Sequence, residues 1–317
     1  MLPLSDSNSL VAVTLSWREH GDTIALLRAL DDGGECSLIV VVENESAGDI
    51  ETLLDAEVWA TPIVLLTNPQ NRGFAAGMNL GLAYALRLYP EGRFLCINND
   101  VVLKQDAIPR LLTALEARVG IAAPAIRELP GREVVLGSRF NRARMRVTSC
   151  RSRVDAANSL SWACVLVDHS VFGQIGLLNE KFFMYWEDVE FSLRAVEAGF
   201  PLLVVEEAMV EHRTSSSGRQ AGSRLEYYSS LGLVQLALGM GGRAVFFAFL
   251  RLGVRTVRAC FRRQWALVKL LVGVPKDSLE LSRGEIFARD LLEQKGLTSR
   301  TDRDASVRWW RPMPDHV

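Results

Sequence analysis

The chain has 317 residues, 49% of them hydrophobic and 23% charged, with a formal net charge of -1. That length accommodates one large α/β domain with an appendage around a substantial core, and the balanced charge excludes a globally basic nucleic-acid binder. Cys36, Cys96, Cys150, Cys164 and Cys260 are odd in number and show no CxxC spacing, which suggests neither a disulfide framework nor a thiolate zinc site. Met1 to Leu10 is polar without a basic start, and the longest apolar runs are shorter than a bilayer is thick. A cytoplasmic protein without a spanning helix is therefore expected.

In chain order, apolar stretches at 10–15, 38–42, 63–66, 94–97 and 119–123 alternate with helical patterns. Such alternation is βαβ logic and predicts a mostly parallel sheet flanked by helices. After the third stretch comes Asn71-Arg72-Gly73-Phe74-Ala75-Ala76-Gly77-Met78-Asn79-Leu80-Gly81, with glycine at every fourth residue. A helix starting near Phe74 would turn those glycines to one face, where a backbone or ligand can approach closely. Each helical glycine costs roughly 1 kcal/mol relative to alanine, so the repetition implies a purpose. A membrane GxxxG helix is the competing reading, but Arg72, Asn79 and Arg87 interrupt the apolar span.

The fourth stretch ends in Asn98-Asn99-Asp100. Ligands of open α/β sheets bind outside the carboxyl ends of strands, and Asp100 there is a candidate oxygen ligand for a hard divalent cation. The same tripeptide also reads as a plain turn. Residues 127–158 then scatter eight arginines among small and polar residues, the pattern of an exposed hairpin that is either a solvated face or a contact for anionic groups.

Phe182-Phe183-Met184-Tyr185-Trp186 runs directly into Glu187-Asp188-Val189-Glu190. Aromatic faces suit the apolar faces of sugars, and an adjacent carboxylate can take a proton from a bound hydroxyl. Tyr185 and Trp186 are accordingly candidate acceptor contacts. Structurally, the rings are equally core and the acids equally the dipole-opposing first turn of a helix that ends at Gly199. His212 closes a short apolar stretch before a polar segment containing Ser215 to Ser217, which reads as a lid or a linker. A lone histidine is more often structural than a ligand. Residues 243–269 carry seven basic residues and no Asp or Glu, interspersed with Phe246, Phe247, Phe249, Phe261 and Trp265. This composition predicts interfacial helices on an anionic membrane face, the alternative being a helical hairpin packed on protein. From about 298 to 317 little order is expected beyond Trp309-Trp310.

Taken in order, these motifs resemble the inverting family-2 glycosyltransferases of GT-A fold, particularly the bacterial rhamnosyltransferase-like branch. The resemblance covers residues 10 to about 218. It implies a catalytic domain over 1–218, with a nucleotide-sugar half to about 125 and an acceptor half over 126–218, followed by a helical region over 219–317. It assigns Ser16, Glu43, Asn71, Arg72, Asn99 and Asp100 to the nucleotide sugar, with Arg72 opposing diphosphate charge. The motif Glu43-Asn44-Glu45-Ser46 carries Glu43 where the family has Asp, and Ser16-Trp17-Arg18 matches the first-strand motif poorly. Asp188 takes the place of the general base, Glu187 of its partner and His212 of the late metal ligand, and Trp162 that of an acceptor contact.

The resemblance implies a UDP- or dTDP-linked donor, a glycan or lipid-linked acceptor, and Mn²⁺ or Mg²⁺ held by Asp100 and His212. No nucleic acid is involved, and the protein would sit in the cytoplasm or against the inner face of the plasma membrane. A helix N-terminus stabilises the Asp188 carboxylate and weakens it as a base, whereas Glu187 and Glu190 push the other way. Two other readings remain open: a sugar nucleotidyltransferase, whose Gly-rich phosphate loop is not visible, and a non-catalytic nucleotide-sugar or membrane-binding module.

Overall fold

The structure is a computed structural model and describes residues 9–18, 20–45, 50–131, 133–152, 154, 156–213, 223–284, 291, 295 and 306–310. Ser46, Arg132, Arg153 and the Ser215 to Ser217 segment lie outside the described residues.

Strands β1 (Leu10–Ser16), β2 (Cys36–Asn44), β3 (Ile63–Asn68) and β4 (Arg93–Ile97) alternate with helices α1 (His20–Gly33), α2 (Ile50–Asp55) and α3 (Gly73–Leu88). They lie parallel in the order β3-β2-β1-β4, as the periodicity predicts. Because both faces are covered, these strands are continuous apolar runs rather than alternating ones. Alternate residues of β2 feed two cores. Ile39 and Val41 face Ile24, Leu27 and Leu30 of α1, whereas Leu38, Val40 and Val42 face Met78 and Leu82 of α3.

The second half breaks the parallel pattern. Strand β5 (Val101–Leu103), helix α4 (Ala107–Ala117), strand β6 (Ile121–Leu129), the short β7 (Val134–Val135), a hairpin of β8 (Ser138–Asn141) and β9 (Arg146–Ser149), and β10 (Cys164–Asp168) follow in turn. Strand β10 inserts antiparallel between β4 and β6. After α5 (His169–Ile175) and α6 (Glu187–Glu197), β11 (Leu202–Arg213) pairs parallel with β6 and antiparallel with β5. The hairpin expected within 127–158 is present, and Arg139, Arg142, Arg144 and Arg146 on it are exposed.

The glycine spacing has the purpose its cost implied. A β-carbon on Gly81 would lie 2.5 Å from Val13 and 3.0 Å from Val42, so α3 can pack against the sheet only without one. No side chain but hydrogen fits there, and the soluble reading of the repeat holds.

Beyond the sheet, α7 (Ser223–Met240), α8 (Gly242–Phe261) and α9 (Trp265–Arg283) build a third core with Phe182, Phe183, Val189 and Leu193. The helical appendage is thus packed directly beneath the aromatic-acidic segment. None of the described helices is long and apolar enough to cross a membrane. One strand was not expected: β12 (Ser306–Trp310) adds antiparallel to the edge of β3. Trp310 is buried there and its indole N–H donates to Asp55 at 2.8 Å, while Arg308 pairs with Glu51 and Asp55. The chain after 219 is therefore not helical throughout.

Candidate active site

The carboxyl ends of β1, β2 and β4 carry most of the polar residues singled out in the sequence. Ser16 and Glu43 are register partners, so both side chains leave the sheet on the α1 side. His20, on the first turn of α1, joins them. Its Nδ1 lies 2.9 Å from the Ser16 hydroxyl and its Nε2 lies 3.8 Å from Glu43 Oε1. The Ser16 hydroxyl also meets Thr23, which accepts from the Asn99 amide at 3.0 Å. Glu43 is buried, and its neighbour in this network is a histidine that sequence reasoning did not single out.

Asn44 points to the opposite face and organises the other half of the crevice. Its Oδ1 accepts from the backbone N–H of Arg72 at 3.1 Å and from the Asn68 amide. Its Nδ2 donates to the Gly73 carbonyl at 2.9 Å and to Asn71 Oδ1 at 3.2 Å. Asn71 Oδ1 in turn accepts from the Gly73 N–H at 2.8 Å, which fixes the turn into α3. The Arg72 guanidinium reaches outward and lies 3.4 Å from Glu180. Trp17 donates to Glu45 at 2.6 Å and Arg18 pairs with the same oxygen, so the poorly matching Ser16-Trp17-Arg18 segment is tied to the end of β2.

Sheet register explains the second cluster. Residue 212 of β11 faces Val101 of β5 on one side and Glu128 of β6 on the other. Asp100 immediately precedes β5. As a result His212 Nε2 lies 3.2 Å from Asp100 Oδ1, and His212 Nδ1 lies 3.0 Å from Glu128 Oε2. Burial lowers the imidazole's proton affinity, but hydrogen bonds and charge from Asp100 and Glu128 outweigh it and raise the pKa to about 10. Asp100 is buried and its Oδ1 makes no hydrogen bond of ordinary geometry. Among the described residues no three His, Cys, Asp or Glu side chains converge as a metal cage. Asp100 and His212, the pair for which the resemblance implies a metal, therefore lie side by side, with Glu128 bonded to the far ring nitrogen.

The third cluster is the start of α6. Tyr185 and Trp186 both adopt left-handed backbone, with φ of 70° and 75°, an uncommon and strained conformation for such bulky residues. The Trp186 indole donates to the Ser229 carbonyl of α7 at 2.9 Å, and the missing side chain of Gly232 lets α7 approach the Tyr185 carbonyl. These contacts hold the turn that presents Glu187 and Asp188. Glu187 is buried and its Oε2 has no hydrogen-bond partner. Burial, followed by the charge of Asp188, raises its pKa well above the ordinary value. Burial also lifts Asp188 to about 6, against opposing backbone N–H groups of Val189 and its own residue. Desolvation thus outweighs the helix start. Glu190, expected to assist, is instead neutralised by Arg194 at 2.9 Å.

Asp188 Oδ1 accepts from the Val189 N–H at 2.7 Å, and Oδ2 has no described partner. Tyr185 is exposed, whereas Trp186 is half-buried and packs edge-on to Phe140 of the hairpin. Trp162 lies in the core, edge-on to Phe191 at 4.9 Å, so its indole supports the wall rather than facing an acceptor.

A layered α/β sheet with carboxylates beyond the carboxyl ends of its strands and at the start of α6 is the GT-A architecture. Two solved structures share it: GalNAc-T7 with UDP, GalNAc and Mn²⁺ and residues 1–349 of S. aureus TarS in complex with UDP. The first has TM-score 0.58 and 13% identity over 71% of this chain and 47% of that one; the second has 0.51 and 12% over 91% and 92%. The sequence profile of the glycosyltransferase-like family 2 matches residues 15–225, more than half of the chain, and the chain belongs to this family. It is 32% identical over 265 residues to the N-acetylglucosaminyl-diphospho-decaprenol L-rhamnosyltransferase of Mycobacterium tuberculosis, covering 74% of this chain and 85% of that protein. It is 28% identical over 166 residues to the low-salt glycan biosynthesis hexosyltransferase Agl10 of Haloferax volcanii, covering 49% of this chain and only 52% of that one.

Proposed function

We propose that the protein transfers a sugar, with rhamnose favoured, from a UDP- or dTDP-linked donor onto a lipid-linked glycan precursor. The reaction is a single displacement with inversion. The observation that carries this reading is Asp188: a carboxyl near pKa 6, anchored through Oδ1 to its own helix with Oδ2 unengaged, beside the exposed ring of Tyr185. A base works best with a pKa near the working pH and a fixed orientation. The attacking acceptor oxygen forms a bond to the anomeric carbon as the bond from that carbon to the diphosphate breaks, and its proton passes to Asp188 Oδ2. Buried Glu187 positions this carboxylate from behind.

The donor diphosphate would lie across the carboxyl ends of β1, β2 and β4, with Ser16, Glu43 and Asn99 toward the nucleoside and the Asn44-fixed turn at Asn71 and Arg72 toward the phosphates. The exposed Arg72–Glu180 pair is worth only about 0–1 kcal/mol, so the guanidinium can exchange Glu180 for a phosphate at little cost. The buried Asp100 oxygen and His212 fit a divalent cation, since an oxygen plus an imidazole suits Mn²⁺ or Mg²⁺ and substrate phosphates and water complete such sites. When bound, the cation supplies positive charge against the departing diphosphate. The lipid-linked acceptor and rhamnose rest on the likeness to the mycobacterial enzyme.

The test is product analysis with dTDP-rhamnose and a prenyl-diphosphate-linked N-acetylglucosamine acceptor. Release of dTDP together with a longer glycan is expected. Release of pyrophosphate, or of neither product from any UDP- or dTDP-sugar, would overturn the reading.

A further inference from the structure

We propose that the outer face of α8 is a docking surface for an anionic lipid leaflet. The helix buries one face, through Ala244, Ala248, Leu252 and Ala259, against its neighbours. Its opposite face is apolar as well. Phe246, Phe249, Leu250, Val254, Val257 and Phe261 recur at three- and four-residue spacing, and their exposures run from 39% at Phe249 to 85% at Phe261. Trp265, at the start of α9, extends the stripe with 61% exposure. A contiguous exposed stripe of aromatic and aliphatic side chains on a soluble domain marks an interaction surface.

Charge selects the occupant. Arg258 and Arg262 line the same open depression as Val254, Val257 and Phe261, and Arg243 and Arg263 are exposed nearby. From residue 227 through residue 276 the sequence contains no Asp or Glu. A two-fold contact between copies would set this face against itself, bringing arginines together with no acid to offset them. An anionic leaflet takes both features at once: rings enter the interface and guanidinium groups meet phosphate.

The surface is also joined to the site. On α8, Arg255 lies 3.3 Å from Glu226 and donates to the Ser230 hydroxyl at 2.7 Å, one residue from the Ser229 carbonyl that holds Trp186. The docking helix and the turn bearing Glu187 and Asp188 are braced on the same part of α7. Arg255 is thereby a packing residue and not part of the lipid face, although its charge belongs to the same run in the sequence. The inference stands on exposure and charge, whichever acceptor the site takes.

Co-sedimentation with vesicles of phosphatidylcholine, with and without one-third phosphatidylglycerol, tests it. Wild-type protein is expected to pellet with the anionic vesicles at low salt, weakly at high salt, and not with phosphatidylcholine alone. Each basic group near such a leaflet is worth roughly a fivefold factor in partitioning. The triple variant Arg258→Glu, Arg262→Glu, Arg263→Glu should therefore partition at least about a hundredfold less, with an unchanged melting temperature because those side chains are exposed. The double variant Phe246→Ser, Phe261→Ser should also lose binding. Wild-type protein left in the supernatant at low salt, or a triple variant that pellets like wild type, would overturn the proposal. So would a wild-type dimer that the phenylalanine variant converts to monomer, which would assign the face to a second copy.

Discussion

The backbone N–H of Phe74 donates to the carbonyl oxygen of Phe183 at 2.7 Å, joining the first turn of α3 to the loop that leads into Glu187 and Asp188. Gly73 makes this approach possible. Its φ is +83°, and a β-carbon there would lie 2.3 Å from the Phe183 carbonyl. Alanine at 73 meets both a disfavoured backbone and a clash with main chain. Gly73→Ala is expected to lower the melting temperature and to weaken nucleotide binding at least about tenfold, because the turn at Asn71 and Arg72 and the base loop shift together. Gly253→Ala, in open space within α8, should leave nucleotide binding unchanged and raise the melting temperature slightly. Calorimetry and thermal melts of the two variants check this, and a Gly73→Ala protein indistinguishable from wild type would refute the coupling.

On the proposed mechanism Asp188 sets the acid limb of the pH profile. Only its ionised form accepts the acceptor proton, so turnover should fall as pH drops through about 6, with the slope of one proton. Asp188→Asn should keep donor binding and lose roughly 10² to 10⁴-fold in kcat, the usual worth of a general base. A rate measured from about pH 5 to 8 that is flat, or an active Asn variant, would remove Asp188 from this role.

The sequence made the sheet easy to read because strands covered on both faces appear as unbroken apolar runs, and the four-residue glycine spacing announced the close packing of α3. Asp188 and its neighbours were visible because aromatics and acids are adjacent in the chain. What stayed hidden depends on pairing over long distances. His212 meets Glu128 only because β11 lies beside β6, and His20 meets Glu43 only because α1 folds over β2. No local period carries either fact. Trp162 was expected to contact an acceptor on the resemblance alone, and its burial depends on the packing of Phe191 of α6 over it, which no local pattern shows. The β12 strand escaped notice because its partner lies some 240 residues away, as in the Ser306–Thr67 hydrogen bond with a separation of 239.

Glu187 is a source of instability. Its folded pKa lies above the ordinary 4.5, so the folded state holds a proton that the unfolded chain has released. Stability from this group is therefore fully present below the unfolded value and is lost as pH rises from there through the folded one. Wild-type protein should lose melting temperature as pH rises above the ordinary carboxylate range, and Glu187→Gln should flatten that decline and melt a few degrees higher at the alkaline end. Its activity should fall less than that of Asp188→Asn, since a buried side chain positions rather than reacts. A parallel pH dependence in both proteins would contradict this.

On the proposed reading Asp100 and His212 act as one unit. Asp100→Ala and His212→Ala should each weaken Mn²⁺-dependent nucleotide binding, and the double variant should be little worse than either single one, because residues sharing an ion are not additive. Glu128→Gln should have a smaller effect in the same direction by loosening the ring of His212. Titration calorimetry with UDP or dTDP, with and without Mn²⁺, measures all four variants. Unchanged metal dependence in His212→Ala would leave it a structural histidine.

The anomeric configuration of the product bears most directly on the central claim. With a donor of known configuration, proton NMR of the newly formed linkage should show the opposite configuration at the anomeric carbon, the signature of one displacement assisted by Asp188. A product that retains the donor's configuration would require a nucleophile or a front-face pathway and would contradict the account.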